Sequence, residues 1–274
     1  MKKYLVIGNP IEHSLSPQLH NYWFKKYRMF GSNYEKRKVT EKELKNIIEE
    51  IKNDTIDGIN VTVPFKKSVI PFCDELSITA ERTQSVNTII KIRKGPYTGK
   101  IFGFNTDSDA FGDCINLLEY NSVFVLGSGG VTASILDALD LTSRPAQVFL
   151  SNRTRKKAEN LKKQFKGANI KIEVIDWGTK PANKCDLVIN TTSVGLKKED
   201  KINIDFEEYK GKKIAFIDLI YNHKTHFLKD AEKRGNLIMN GQDMFLGQAR
   251  YAFERFTGVL PDIDEEVFKL VSYD

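Results

Sequence analysis

Val123-Phe124-Val125-Leu126-Gly127-Ser128-Gly129-Gly130-Val131-Thr132 is the stretch on which the fold turns. An apolar run of strand length stops at a glycine turn, and residues 131–141 continue with helical character. Strand, glycine turn and helix, in that order, open a dinucleotide-binding unit. Glycines without Cβ let the backbone approach a pyrophosphate, and the free N–H groups at the helix start carry positive partial charge. Gly127 and Gly129 stand where the first two glycines of that turn belong, with Thr132 where the third would be. Alone the signal is weak, and it also fits a tight turn that holds no ligand.

Downstream, Gln147–Ser151, Lys171–Ile175, Leu187–Asn190 and residues 214–219 read as further strands, each followed by a polar or helical stretch. This alternation predicts parallel βαβ units and a Rossmann-like domain. NAD-binding folds usually place an Asp or Glu at the end of the second strand to bond the ribose 2′-hydroxyl. Here the residues are Ser151-Asn152-Arg153-Thr154. A carboxylate would repel a 2′-phosphate, whereas a guanidinium grips it through paired, charge-assisted hydrogen bonds, so NADP is expected over NAD. The plainer reading of Arg153 is an exposed side chain in a basic loop.

Upstream, residues 4–8, 33–39, 58–63 and 86–93 look like strands, and residues 17–27 and 40–52 look helical. The second of these helices opens with Thr40-Glu41-Lys42-Glu43, a capping-box pattern. A helix over 107–119 would join the two halves. Helices over 241–257 and 264–271, with no strand left to serve, would pack back on the first domain. The expected architecture is α/β with two domains: an N-terminal α/β substrate domain with a mainly parallel sheet, from residues 1–106 and 240–274, and a Rossmann-like NADP-binding domain from 107–239.

A chain of 274 residues, 41% apolar and 28% charged, has material for one large core or two ordinary ones. The early apolar run 4–7 stops at Gly8-Asn9-Pro10, too short for a signal-peptide core, and nothing approaches a bilayer span, so a cytoplasmic location is expected. The cysteines, Cys73, Cys114 and Cys185, lie far apart, and only His223 and His226 form a close histidine pair, so neither a disulfide framework nor a metal site is expected. A net charge of +6 suits nucleic acid or anionic small molecules equally. The basic clusters are scattered and lack interleaved aromatics, which argues against nucleic acid and for a small-molecule substrate.

In the first domain, Asn60-Val61-Thr62-Val63-Pro64-Phe65-Lys66 alternates polar and apolar residues before a proline ends the strand. Asn60 and Thr62 share a face, and Lys66 falls just beyond the carboxyl end, where open α/β sheets place their ligands. Val86-Asn87-Thr88 begins another strand, and Asn105-Thr106-Asp107 precedes the connecting helix. Amide, hydroxyl, ammonium and carboxylate groups thus have the means to converge. Each could instead be a cap, a turn or a surface residue, and Asp107 in particular would make a good N-cap.

These residues, with Gly8-Asn9-Pro10, His13-Ser14-Leu15-Ser16-Pro17, Asn190-Thr191-Thr192-Ser193, and Asn240-Gly241 with Met244 and Gln248, stand in one order and spacing nearly end to end. So arranged, the chain resembles the shikimate dehydrogenases, NADP-dependent enzymes that reduce 3-dehydroshikimate in aromatic amino-acid synthesis. The resemblance implies that Ser14 and Ser16 bond the substrate carboxylate, that Asn60, Thr62, Asn87 and Gln248 hold ring hydroxyls, and that Lys66 and Asp107 form the catalytic pair. It also implies that the loop Gly127, Ser128, Gly129, Gly130 and Val131 meets the pyrophosphate, and that Asn152, Arg153 and Thr154 meet the 2′-phosphate. Thr191, Leu219, Gly241 and Met244 are implied to line the nicotinamide side, and Tyr221 to lie near substrate, in a cleft between the domains. Two positions depart from the family. Asn222-His223 follows Tyr221 where a proline usually comes two residues after the tyrosine, and Ala133 replaces a frequent arginine, which implies a weaker grip on the cofactor. A monomer or homodimer is expected. The rival readings are a paralogue acting on quinate or using NAD, against which Ser14, Ser16 and Arg153 argue, and a non-catalytic NADP sensor, against which Lys66 and Asp107 argue.

Overall fold

The first strand, β1 (Lys2–Gly8), is buried from Tyr4 onward, as a parallel strand covered on both faces must be. After it come α1 (Ser16–Lys26), β2 (Ser32–Lys38) and α2 (Leu44–Lys52). The stretch expected as one helix from Thr40 begins with a single 3-10 turn, Glu41–Glu43, closed by the expected capping box: Thr40 N–H donates to Glu43 Oε2 at 2.7 Å. Helix α2 turns Leu44, Ile47, Ile48 and Ile51 inward, one per helical step along one face. Each such burial stabilises by about 1.5–3 kcal/mol.

Next are β3 (Gly58–Val61), β4 (Glu75–Leu76), α3 (Ile78–Thr83), β5 (Thr88–Lys91), β6 (Ile101–Phe104) and α4 (Thr106–Ile115). The first sheet runs β2-β1-β3-β5-β6-β4, with β5 antiparallel to both neighbours and the other ladders parallel. Both β4 and β6 lie outside the strands expected from sequence. Gly103 interrupts the apolar pattern of β6 where space is tight: a Cβ would stand 3.0 Å from Cys73 Sγ, Leu76 Cδ2 and Val86 Cγ2, so those side chains would have to give way. The expected strand 86–93 is shorter because the Val86 and Asn87 amides donate to Lys66 O and Phe104 O before the regular ladder begins.

The second sheet contains β7 (Ser122–Leu126), β8 (Gln147–Ser151), β9 (Lys171–Ile175), β10 (Leu187–Asn190), β11 (Ala215–Asp218) and β12 (Leu237–Met239). They run all parallel in the order β12-β11-β10-β7-β8-β9, the doubly wound order of a Rossmann fold. The order reverses between β7 and β10, so the loops after these two strands flank the switch point where such sheets hold ligands. Helices α5 (Gly130–Leu141), α6 (Arg155–Gln164) and α7 (His226–Lys233) make the crossovers from β7 to β8, β8 to β9 and β11 to β12. The chain ends in α8 (Gln242–Thr257) and α9 (Glu265–Val271). Phe253 and Phe256 of α8 pack with Tyr4, Trp23 and Phe24, so the last helices serve the first sheet as expected.

The fold is that of a computed structural model, which describes residues 1–142, 146–211 and 213–272. By its contacts the chain divides into Met1–Asp109 with Leu246–Ser272, and Ala110–Phe245. No helix of the described residues is long and apolar enough to cross a membrane.

Candidate active site

In the first unit, Lys66 lies in the turn after β3, its carbonyl fixed by the Val86 N–H at 2.8 Å. Asp107 lies in the first turn of α4. Their side chains meet: Lys66 Nζ donates to Asp107 Oδ2 at 2.5 Å, with the Asp107 side chain only 7% exposed. Asp107 is not the N-cap. That place belongs to Asn105, whose Oδ1 accepts from the Asp107 and Ser108 amides at 3.0 and 3.4 Å, which leaves the Asp107 carboxylate available to side chains. A charge so enclosed needs donors on both oxygens. The second comes from Asn87 Nδ2, 3.0 Å from Asp107 Oδ1.

Asn87 is almost wholly committed to the protein. Its Oδ1 accepts from the Thr106 amide and from Thr88 Oγ1, both at 3.0 Å, and its Nδ2 also lies 2.9 Å from Thr106 Oγ1. Asn60, 7% exposed, donates through Nδ2 to Asn87 O and Thr88 Oγ1, and its Oδ1 accepts from the Tyr34 hydroxyl at 2.7 Å. Thr62 follows β3 and leans on Gly8, where a Cβ would come within 2.6 Å of Thr62 Cγ2. Ser14 and Ser16 sit where the loop after β1 enters α1, and Ser14 Oγ accepts from the Ser16 amide at 3.4 Å. Gln248, on α8, accepts through its backbone carbonyl from Thr106 Oγ1 at 3.0 Å, which ties that helix to the Asp107 turn. Lys66, Asp107, Asn87 and Asn60 therefore belong to one hydrogen-bonded assembly. For Thr62 and Ser14 the structure gives a position on neighbouring loops, while Ser16, the buried first residue of α1, places its side chain against the Tyr34 hydroxyl. Sequence reasoning assigned no role to Tyr34, Thr88 or Thr106. The last two lie inside motifs it singled out, whereas Tyr34 reaches Asn60 across 26 residues and leaves no linear signal.

In the second unit, Gly127 adopts φ +109° at the end of β7, and a Cβ there would lie 2.5 Å from Thr191 Oγ1. Only glycine meets both conditions. Around Gly129 and Gly130 a Cβ would meet nothing within 4 Å, so the approach to the N-terminus of α5 is open. Its first turn carries no acidic residue. Thr132, standing for the third glycine of the motif, is fully buried and its hydroxyl pairs with Thr191 Oγ1 at 2.8 Å, so the helix is pinned to β10 rather than packed closely on a glycine. Val131 is half-buried in that first turn, and Ala133 is buried within α5.

Asn152 bridges two loops: its Oδ1 accepts from the Ser128 amide at 3.2 Å and its Nδ2 donates to Thr154 O at 3.0 Å. Arg153 and Thr154 are exposed. Arg155 is occupied by Asp176 Oδ1 at 2.5 Å and Val174 O at 2.9 Å, whereas Arg153 makes no ion pair among the described residues. Leu219 and Gly241 touch backbone to backbone so closely that a Cβ on Gly241 would fall inside the Leu219 carbonyl. Met244 is buried one turn along α8, and Tyr221 stacks on Phe245 with ring centroids 4.8 Å apart. Behind Leu219, burial raises the Asp218 carboxyl above its usual range, against hydrogen bonds from Thr225 Oγ1, the Ile220 amide and Asn190 Nδ2. Asp218 thereby anchors the loop that carries Tyr221. The departure at Asn222-His223 leaves Asn222 Oδ1 and His223 Nε2 buried without a hydrogen-bond partner.

Two family models match, one described as the shikimate dehydrogenase substrate binding domain over residues 6–89 and one as shikimate / quinate 5-dehydrogenase over residues 112–220. A shikimate dehydrogenase (NADP(+)) of Pelagibacter ubique is 45% identical over 275 aligned residues, covering 98% of each chain. Among solved structures, shikimate dehydrogenase from Aquifex aeolicus superposes with a TM-score of 0.81 at 33% identity, over 98% of this chain and 96% of that one. The Thermus thermophilus enzyme, solved in complex with NADP(H) and shikimate, gives 0.81 at 28% identity over 96% and 95%. With family models on both sheets and whole-length identity of this order, the chain belongs to the shikimate dehydrogenase family.

Proposed function

We propose that this protein interconverts shikimate and 3-dehydroshikimate using NADP(H), with Lys66 and Asp107 as its catalytic pair. The observation that carries the reading is the enclosed Lys66–Asp107 contact at 2.5 Å, in a chain whose relatives are named as NADP-dependent shikimate dehydrogenases over their whole length.

The residues present fit NADP. The α5 N-terminus is open, lacks acidic groups, and follows a glycine whose φ and packing both forbid a side chain. Just past β8 stands the exposed cation Arg153 in place of a carboxylate, which suits a 2′-phosphate. When bound, the nicotinamide supplies or accepts the hydride. The chain's own groups do the rest. Lys66 Nζ passes a proton to or from the oxygen on the substrate carbon that gains or loses the hydride, and its positive charge stabilises the negative charge that grows on that oxygen. Asp107 holds that nitrogen in place and balances its charge in a partly buried setting. Neutral donors and acceptors from Asn60, Thr62, Asn87 and Gln248 suit a polyol ring, and the hydroxyls of Ser14 and Ser16 suit its carboxylate. Asn87, with its amide already committed to Asp107 and Thr106, contributes chiefly by orienting the carboxylate.

Steady-state rates with shikimate and quinate, each with NADP+ and NAD+, test the assignment. The expected result is the largest kcat/KM for shikimate with NADP+. Absence of shikimate oxidation under any of these conditions would overturn it.

A further inference from the structure

The hydrogen bonds around Asp107 have a direction that can be settled atom by atom. Two backbone groups decide it. The Thr106 amide can only donate, so the Asn87 atom 3.0 Å away is the oxygen, and the Asn87 atom facing Asp107 must be the nitrogen. The Asn87 carbonyl can only accept, so the Asn60 atom 3.1 Å away is the nitrogen, and the Asn60 atom facing Tyr34 must be the oxygen. With both amides fixed, the hydroxyls have no choice left. Tyr34 donates to Asn60 Oδ1 at 2.7 Å, Asn60 Nδ2 donates to Thr88 Oγ1 at 2.9 Å, and Thr88 donates to Asn87 Oδ1 at 3.0 Å. Asn87 Nδ2 then donates to Asp107 Oδ1 at 3.0 Å. Every donor along the chain points toward the carboxylate, which takes Lys66 on its other oxygen.

From this geometry we infer that Thr88 and Tyr34 are positioning residues for the dehydrogenase reaction: a one-way hydrogen-bond relay, Tyr34 to Asn60 to Thr88 to Asn87, orients Asp107 and through it Lys66. The inference rests on the reading of Lys66 and Asp107 as the catalytic pair. Thr88 is fully buried, so it acts on substrate only through its neighbours. A chain of hydrogen bonds aligned head to tail polarises each member, and here the chain ends on a buried carboxylate that needs both oxygens satisfied. Thr88 is the link that carries the relay to the Asn87 side chain, because it is at once the acceptor for Asn60 and a donor to Asn87 Oδ1, whereas the direct Asn60 contact reaches only the Asn87 backbone carbonyl. Tyr34 is held at the far end by the His20 ring, stacked on it 4.2 Å away and 7° from parallel.

The test is a cycle of variants of the full chain, assayed for kcat, for the KM of shikimate and for NADP+ binding. Thr88→Val keeps the shape and removes the hydroxyl. Loss of one hydrogen bond's worth of orientation predicts a fall in kcat of about tenfold, with NADP+ binding unchanged. Thr88→Ser, which restores the hydroxyl, is expected to recover most of that loss, and Tyr34→Phe to give a smaller fall in kcat. In an Asp107→Asn background Thr88→Val should cost little further activity, because the carboxylate that the relay orients is gone. A merely structural Thr88 would give equal losses in both backgrounds, and that result overturns the relay, as does a Thr88→Val enzyme with parental kcat. Full activity in Asp107→Asn alone would instead remove the catalytic pair on which the relay depends. Should Thr88→Val prove insoluble, Thr88→Ala, which also removes the hydroxyl, and Tyr34→Phe carry the same cycle.

Discussion

Replacing Asp107 by asparagine changes one atom and leaves the shape of the side chain intact, yet the structure predicts a large effect. Both carboxylate oxygens face donors: Lys66 Nζ at 2.5 Å and Asn87 Nδ2 at 3.0 Å. An amide has one oxygen, so either orientation sets its NH2 group against another donor. If the amide oxygen stays with Lys66, the NH2 meets Asn87, whose own orientation is locked by the Thr106 amide. If it turns the other way, the NH2 meets the Lys66 ammonium, and Lys66 swings off the line of proton transfer. Either way a charge-assisted hydrogen bond of about 1.5–3 kcal/mol is lost and the charge that balances Lys66 disappears. Positioned acid–base groups contribute about 10²- to 10⁴-fold to rate, so kcat for shikimate oxidation is expected to fall by a factor in that range, equivalent to about 2.7–5.4 kcal/mol of barrier. NADP+ affinity, measured by calorimetry, should hold, since the groups assigned to it lie on the second sheet. A kcat within threefold of the parent would refute the reasoning, because it would mean that neither the ion pair nor the placement of Lys66 matters to turnover.

Further expectations follow from other parts of the chain. Arg153→Ala should raise the KM for NADP+ by about 10- to 100-fold, the equivalent of one or two charge-assisted bonds, and leave that for NAD+ nearly unchanged; equal effects on both cofactors would remove Arg153 from the 2′-phosphate site. Gly241→Ala drives a Cβ into the Leu219 carbonyl, and the strain should lower the midpoint of thermal unfolding, at about 2–4 °C per kcal/mol, while a parental melting temperature would show that the loop yields freely. His20 is wholly buried among aromatic rings without a partner for either nitrogen, and burial pushes its imidazole down to about 3. The unfolded chain therefore binds a proton there that the folded chain refuses, so His20 favours folding fully above about pH 6.5 and progressively less as pH falls toward 3, with a slope approaching about 1.4 kcal/mol per pH unit. Denaturant titrations across that window should show His20→Phe with the shallower decline; an identical slope would contradict the assignment.

Much of this was legible in the string of residues, for identifiable reasons. The 3.6-residue spacing of Leu44, Ile47, Ile48 and Ile51, the capping box at Thr40 and the strand-turn-helix at Val123 to Thr132 are local patterns, and each specifies its element through contacts only a few residues away. The same locality brought out the glycine loop and the missing carboxylate after β8. It did not bring out β6, where Gly103 breaks the pattern for the sake of a close approach by Cys73, Leu76 and Val86. Nor did it separate Asp107 from Asn105 as the cap of α4, since both residue types serve and only the direction of the side chains decides.

Short-range sterics and periodicity already specify the two α/β units, the turn chemistry and which residue types are on hand for proton transfer and phosphate binding. The pairing of Lys66 with Asp107 across 41 residues, and the orientation of Asn60 and Asn87 by Tyr34, Thr88 and Thr106, were decided only by the tertiary structure. A hydrogen bond depends on distance and angle between groups that the fold alone brings together, and its direction here is set by backbone donors and acceptors that no side-chain pattern encodes.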